Sequence, residues 1–451
     1  MSGIAGIARA GEQLSVNRML DRISHRGTAA RVVLETNDAT LGAVCTEVQA
    51  GQFADLVKNK AVRDAATEGY LAEAKVSPEG LILIRDQVGR APLYYGRRPD
   101  GAICFASEVK ALLEFTCDIN ELSPGCTYRS ASDRLETYFQ LQEKALLSRS
   151  TEEVVNELYR RLLHSVERCV AYGQSTVGCW LSGGIDSSTM AALARQFVER
   201  LYTFSAGVSG SPDLEYARIA AEFLGSDHHE IVVTCEDMLA LLPEVIYHLE
   251  SFDALLVRSS IVNYLAAKVA SDYVPVVLSG EGGDELFAGY EYIKSLDLAS
   301  VPGELIDITK RLHNTALQRV DRTSTAHGVL ALVGFLEPNL VDYALCIPPE
   351  LKLHGRVEKW ILRRVMDGRL PEVIVSRGKA KFWEGAGVAD QLSRYAEAHI
   401  SDSEFQRERE LPNGEMLNTK EELMYYRIFK EHFGEFENLS WLGRTKGAPV
   451  V

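Results

Sequence analysis

The stretch Val177-Gly178-Cys179-Trp180-Leu181-Ser182-Gly183-Gly184-Ile185-Asp186-Ser187-Ser188 decides how this chain is read. Its apolar run, Val177 to Leu181, predicts a buried strand, and the run Thr189 to Val198 after it predicts a helix. Strand, glycine turn and helix is how an α/β fold holds a phosphate. Adjacent glycines let backbone N–H groups close round an anion, and the helix N-terminus adds the positive end of its dipole. The hydroxyls of Ser182, Ser187 and Ser188 add donors, and Asp186 can hold a magnesium ion that bridges phosphates. An ordinary Gly-Gly turn capping a helix accounts for the glycines, but not for three serines and an aspartate in register.

Bulk properties narrow the setting. A chain of 451 residues predicts two or three domains, and 46% apolar with 25% charged residues is the balance of a globular protein. A net charge of −15 argues against nucleic-acid and anionic-membrane partners, which need a basic footprint. No apolar stretch reaches membrane-spanning length, and the N-terminus lacks a signal-peptide pattern. Eight cysteines without a C-x-x-C pair read as reduced, mostly buried thiols, so the expected compartment is cytoplasmic.

Two halves are expected, residues 1–145 and 146–451. The first carries strand-like segments at Gly80–Ile84, Pro92–Tyr95 and Ala102–Ala106, separated by polar turns, which predicts antiparallel sheets. In the second, helical runs (Glu152–Val170, Met238–Leu249) alternate with buried-strand runs such as Val274–Leu278, which predicts a parallel sheet covered on both faces. From about Glu304 onward the pattern is mostly helical.

The ordered set of motifs resembles the glutamine-dependent asparagine synthetase superfamily, which includes the β-lactam synthetases. In the first half the carriers are Met1–Gly6, Ser24-His25-Arg26-Gly27, Arg85–Tyr95 and Phe105–Lys110. In the second they are Leu181–Ser188, similar to the pyrophosphate loop of ATP pyrophosphatases, then Gly210–Leu214, His228-His229-Glu230 and Leu278–Glu285. No Walker loop G-x-x-x-x-G-K-[ST] is present. The resemblance implies an α/β chain: an Ntn-type αββα sandwich, then a doubly wound parallel sheet with a helical C-terminal region. In that family the sandwich is a glutaminase whose nucleophile is a cysteine at the processed N-terminus. Ser2 stands there in this chain, and a hydroxyl is a weaker nucleophile than a thiol. The family's Asn-Gly-Glu segment is not recognisable between residues 40 and 75, its Gly-Ser-Asp motif is missing, and its R-G-P-D turn reads Arg26-Gly27-Thr28-Ala29. The first half therefore reads as a degenerate glutaminase kept as a scaffold.

For the second half the resemblance implies ATP and Mg2+. Nucleotide contacts are expected from Leu181, Ser182, Gly183, Gly184, Asp186, Ser187, Ser188, Ala206, Ser279, Gly280 and Lys359, and metal ligands from Asp186 and Asp284. Lys359, opening an E-K-x-I-L-R-like helix, is expected to reach the terminal phosphate. Lys379, in an R-x-K-x-x-F turn, is expected to steady the acyl-adenylate, with Lys381 as its rival. Glu281, at a position where β-lactam synthetases carry tyrosine, is the expected proton acceptor, with His313 as a supplementary base. Arg258 is expected to clamp a substrate carboxylate, while Leu255 and Leu256 replace two threonines that help bind aspartate in the family. Further on, a charged pair of the family has become Leu330 and Leu332. The aromatic stripe in Leu423–Phe429 reads as core packing.

The implied function is an AMP-forming carbon–nitrogen ligase that adenylates a small amino-acid-like carboxylate and joins it to an amine without glutamine, in specialised metabolism such as antibiotic biosynthesis. Three alternatives stay open: ring closure of the β-lactam type, asparagine synthesis from free ammonia, and a non-catalytic binding homologue. A tRNA thiolase fits poorly, for want of a cysteine pair and of basic charge. The expected partners are small carboxylates and amines, with homodimerisation an open expectation.

Overall fold

The structure is a computed structural model that describes residues 2–47, 60–67, 69–78, 80–378, 385–387 and 389–445. Among these residues, strands of the first half form two antiparallel sheets. One has six strands in the order β2-β3-β1-β8-β7-β9, with β2 at Ala30–Glu35 and β7 at Tyr94–Arg97. The other has five in the order β11-β10-β6-β5-β4: Arg134–Thr137, Cys126–Arg129, Gly80–Arg85, Leu71–Ser77 and Ala61–Ala65. Period-two alternation decides what each strand faces. In β1 (Ser2–Ile7), β3 (Thr40–Cys45) and β8 (Ile103–Ala106), Ile4, Leu41, Ala43 and Phe105 point into the space between the sheets, where they meet Val62, Ala72, Leu81 and Leu83. Their neighbours Ala5, Ile7, Val44 and Cys104 point outward onto Val16, Met19 and Leu20 of α1 (Gln13–Arg22).

The second half centres on a five-stranded parallel sheet, ordered β14-β13-β12-β15-β16, with β14 (Asp227–Val232) at one edge. Its middle strands are β12 (Val177–Trp180) and β15 (Val276–Ser279), flanked by β13 (Tyr202–Gly207) and β16 (Leu330–Val333). One face packs on α2 (Thr151–Tyr172) and α3 (Ile185–Ala194), and the other on α6 (Ala254–Ala270). Between α3 and α6 the chain forms α4 (Pro212–Leu224) and α5 (Cys235–Leu249). With both faces covered, β12, β15 and β16 are buried throughout and read as unbroken apolar runs. The expected α/β class therefore holds in both halves. The mostly helical reading after Glu304 needs one correction: Leu330-Ala331-Leu332-Val333 is β16, paired with β15. Four buried apolar residues show neither a helical nor a strand period, so nothing local marked them.

The strand order reverses between β12 and β15, since β13 and β14 lie to one side and β16 to the other. A doubly wound sheet opens a crevice at such a point, at the carboxyl ends of its strands.

Candidate active site

Two glycine-rich loops leave the carboxyl ends of the adjacent strands β12 and β15 and meet over that crevice. The first, Leu181–Gly184, runs into α3. Gly183 has φ +66°, and a Cβ there would come within 2.4 Å of the Tyr216 backbone, so only glycine fits. Ser182 and Ser187 close the loop on itself: Ser182 N–H donates to Ser187 Oγ at 3.2 Å, and Ser187 Oγ donates to the Gly184 carbonyl at 3.1 Å. Ser188 is fully buried, and its hydroxyl has no hydrogen-bond partner among the described residues. The second loop, Gly280–Gly282, leads into α7 (Gly283–Phe287). A Cβ on Gly283 would lie 2.5 Å from Asp186 Oδ1, so the absence of a side chain lets the loops touch.

That contact brings Asp186 and Asp284 together. Lys359, at the N-cap of α9 (Trp360–Met366), inserts its ammonium between them, 2.5 Å from Asp284 Oδ1 and in a short contact with Asp186 Oδ2. Lys359 is itself in the left-handed region, with φ +55°, and its N–H donates to the Phe287 carbonyl at 3.1 Å. Two carboxylates and one ammonium leave a single negative charge. The donor set is hard oxygen beside a loop shaped for phosphate, which suits a magnesium ion completed by phosphates and water. Asp186 and Asp284 would hold that ion.

Glu281 lies in the second loop, where it accepts a hydrogen bond from the Ser279 hydroxyl and is ion-paired with Arg319 of α8 (Ala316–Thr325). No residue pattern singled out Arg319. Gly289 was likewise missed: a Cβ there would stand 2.0 Å from Asp284 Oδ1 and 2.3 Å from Lys359 Cε. Arg377 ties the first loop to α4, donating to the Ser182 carbonyl at 2.9 Å and to Asp213 at 2.5 Å. Further along the chain, the Ala386 carbonyl accepts from Val208 N–H at 2.9 Å, just past the end of β13. Lys379 and Lys381 lie outside the described residues, between these two attachments.

A family model described as asparagine synthase matches residues 157–307 and 299–445. The chain belongs to that family. Two models described as glutamine amidotransferase domains match residues 73–164 and 30–114. Among similar curated proteins, glutamine-hydrolyzing asparagine synthetase 2 of Arabidopsis thaliana is 35% identical over 382 residues, covering 79% of this chain and 65% of its own. A probable glutamine-hydrolyzing asparagine synthetase of Schizosaccharomyces pombe is 34% identical over 389 residues, 78% of this chain and 70% of its own. The chain thus spans just under two thirds of the length of the first of these relatives. A solved NMN synthetase from Francisella tularensis is similar at 17% identity and a TM-score of 0.24, over 54% of this chain and 97% of its own, a likeness too slight to argue from.

The expected acceptor residues divide. Leu255, Val262 and Ala266 share one face of α6 at helical spacing, and the last two line a recess beside the first loop. Leu256, one position on, packs in a core with Phe252, Tyr426 and Phe429, the last two from α10 (Lys420–Phe433). The stripe in Leu423–Phe429 is core packing, as expected. The fork of Arg258 is already engaged within the chain. Glu421 of α10 takes both prongs of its guanidinium, Nε at 2.6 Å and Nη2 in a short contact, and Tyr425 donates to the same carboxylate at 2.7 Å. Among the described residues, no hydrogen bond or ion pair joins His313 to Glu281. Its Nδ1 pairs with Glu121 of β9 (Ile119–Glu121) at 2.7 Å, across the two halves.

Proposed function

We propose that the chain is an ATP- and magnesium-dependent ligase that adenylates a small carboxylate and passes the acyl group to an amine. The observation that carries this is Lys359 seated between Asp186 and Asp284, where two glycine loops meet at the switch point of the sheet. A carboxylate oxygen of the acyl donor attacks the α-phosphorus of ATP and pyrophosphate leaves. The amine then attacks the acyl carbon and AMP leaves. Magnesium held by Asp186 and Asp284 would offset charge on the departing pyrophosphate. The first loop offers its helix N-terminus and the unpartnered Ser188 hydroxyl to the phosphates. Glu281, steadied by Arg319, is the proton acceptor for the incoming amine.

The nitrogen does not come from glutamine. Ser2 replaces the family's cysteine, and Arg26, in the altered R-G-P-D turn, is fully buried in ion pairs with Glu108 and Asp321 at 2.8 Å each. Aspartate is a poor acyl donor, because the Arg258 fork is engaged by Glu421 and Leu255 brings no hydroxyl. A more apolar carboxylate fits the specialised-metabolite reading.

Exchange of labelled pyrophosphate into ATP across a panel of carboxylates tests the ligase, with aspartate expected near the bottom of the ranking. Exchange that no carboxylate stimulates would sink it. Glutamate release from glutamine should stay at background, and Ser2→Cys should not raise it. Glutaminase activity restored by that one change would overturn the scaffold reading.

A further inference from the structure

Arg377 holds the first loop by one backbone atom. Its Nη1 donates to the Ser182 carbonyl at 2.9 Å, and its Nη2 donates to Asp213 Oδ1 at 2.5 Å. The guanidinium lies 4.1 Å from the centre of the Tyr216 ring, three positions beyond Asp213 and so on the same face of α4. Both charged side chains are more than nine-tenths buried. A Cβ on Gly385 would come within 2.3 Å of Asp213 Oδ1, so the chain also closes on that carboxylate.

The Ser182 carbonyl and the Gly183 N–H belong to one trans peptide and point in opposite directions. Gly183 is buried, and its N–H donates to nothing among the described residues. At φ +66° it has glycine's freedom to change conformation at little cost, so nothing intrinsic stops this peptide from turning over. Turned over, it would meet a phosphate with its carbonyl oxygen in place of its N–H.

We propose that Arg377 is a positioning residue for the pyrophosphate end of the nucleotide: by holding the Ser182 carbonyl, it aims the Gly183 N–H at a phosphate. Asp213 neutralises the guanidinium, so Arg377 acts through the loop and not as a phosphate's counter-charge. This assignment rests on the site being an ATP site.

ATP with Mg2+, and AMP, are each titrated into the full chain and followed by calorimetry, so no acyl donor is needed. Arg377→Ala should bind ATP about tenfold more weakly, the worth of one buried hydrogen bond, and AMP as wild type does. Added guanidinium ion, which fits the vacated place against Tyr216 and Asp213, should restore ATP binding. Methylammonium has the charge without the planar fork and should not. A general loss of structure would weaken AMP as well and answer to neither cation. If Arg377→Ala folds poorly, Arg377→Lys makes the same comparison of ATP with AMP, keeping the charge and losing the fork. Undiminished ATP binding in these variants, an equal loss for AMP, or rescue by methylammonium as full as by guanidinium overturns the inference and leaves the ATP site standing. No binding of ATP by wild type removes that reading and this inference together.

Discussion

Lys359 turns left-handed without glycine's freedom, at a cost of roughly 1–2 kcal/mol, and in return its ammonium sits between two carboxylates. Asp186→Ala and Asp284→Ala should each abolish pyrophosphate exchange, since each takes away half of the site for the ion that carries pyrophosphate. Exchange at the wild-type rate in either variant removes that aspartate from the metal site. Gly289→Ala is the subtler probe. The added methyl overlaps Asp284 Oδ1 and Lys359 Cε, and therefore displaces the pair without deleting a charge. It should reduce exchange severalfold without abolishing it, and raising Mg2+ should restore only part. Unaltered exchange in Gly289→Ala would mean that the spacing of the pair does not matter.

At the scale of elements, β9 and the turn Leu312–Asn314 that precedes α8 meet through charge. Glu121 of β9 bonds His313 at 2.7 Å and Arg85 at 2.6 Å. Burial alone would raise its pKa, but His313 and Arg85 outweigh that and hold it down at about 2. A folded pKa below the ordinary 4.5 gives stability that is present above pH 4.5 and lost as pH falls from there to about 2. Glu121→Gln should lower the melting temperature at neutral pH and flatten its decline between pH 4.5 and 2. A decline as steep as wild type's would move the acid sensitivity elsewhere. The loops on β12 and β15 were legible in the sequence because glycine, serine and aspartate at fixed spacing serve one local purpose. β16 was missed because so short an apolar run fits a buried strand or a helix segment alike, and its surroundings read as helical. Arg319 and Gly289 were hidden for another reason: what gives them meaning is a neighbour brought up by folding. For Arg258, nothing in its own segment shows that Glu421, 163 positions on, engages its fork.

Across the whole molecule, the two halves are joined by a buried set of ions. Arg26 pairs with Glu108, Asp321 and Asp64, while Arg322 of α8 pairs with Glu108 and Glu250 at 3.0 and 3.1 Å. Lys110 reaches Glu250 at 3.1 Å, and Arg26 and Asp321 lie 295 positions apart. Removing one member strands its partners without solvent, so Arg322→Met should cost about 3–5 kcal/mol, read as a lower denaturant midpoint. A loss under about 1 kcal/mol would show the set to be solvated, like a surface ion pair. The same set bears on how this gene could have changed over time. Deleting the first half would take Glu108 and Lys110 away from Arg322 and Glu250 and open the apolar surface packed around them to water. A chain built this way can exchange residues of its first half one at a time, yet cannot discard that half.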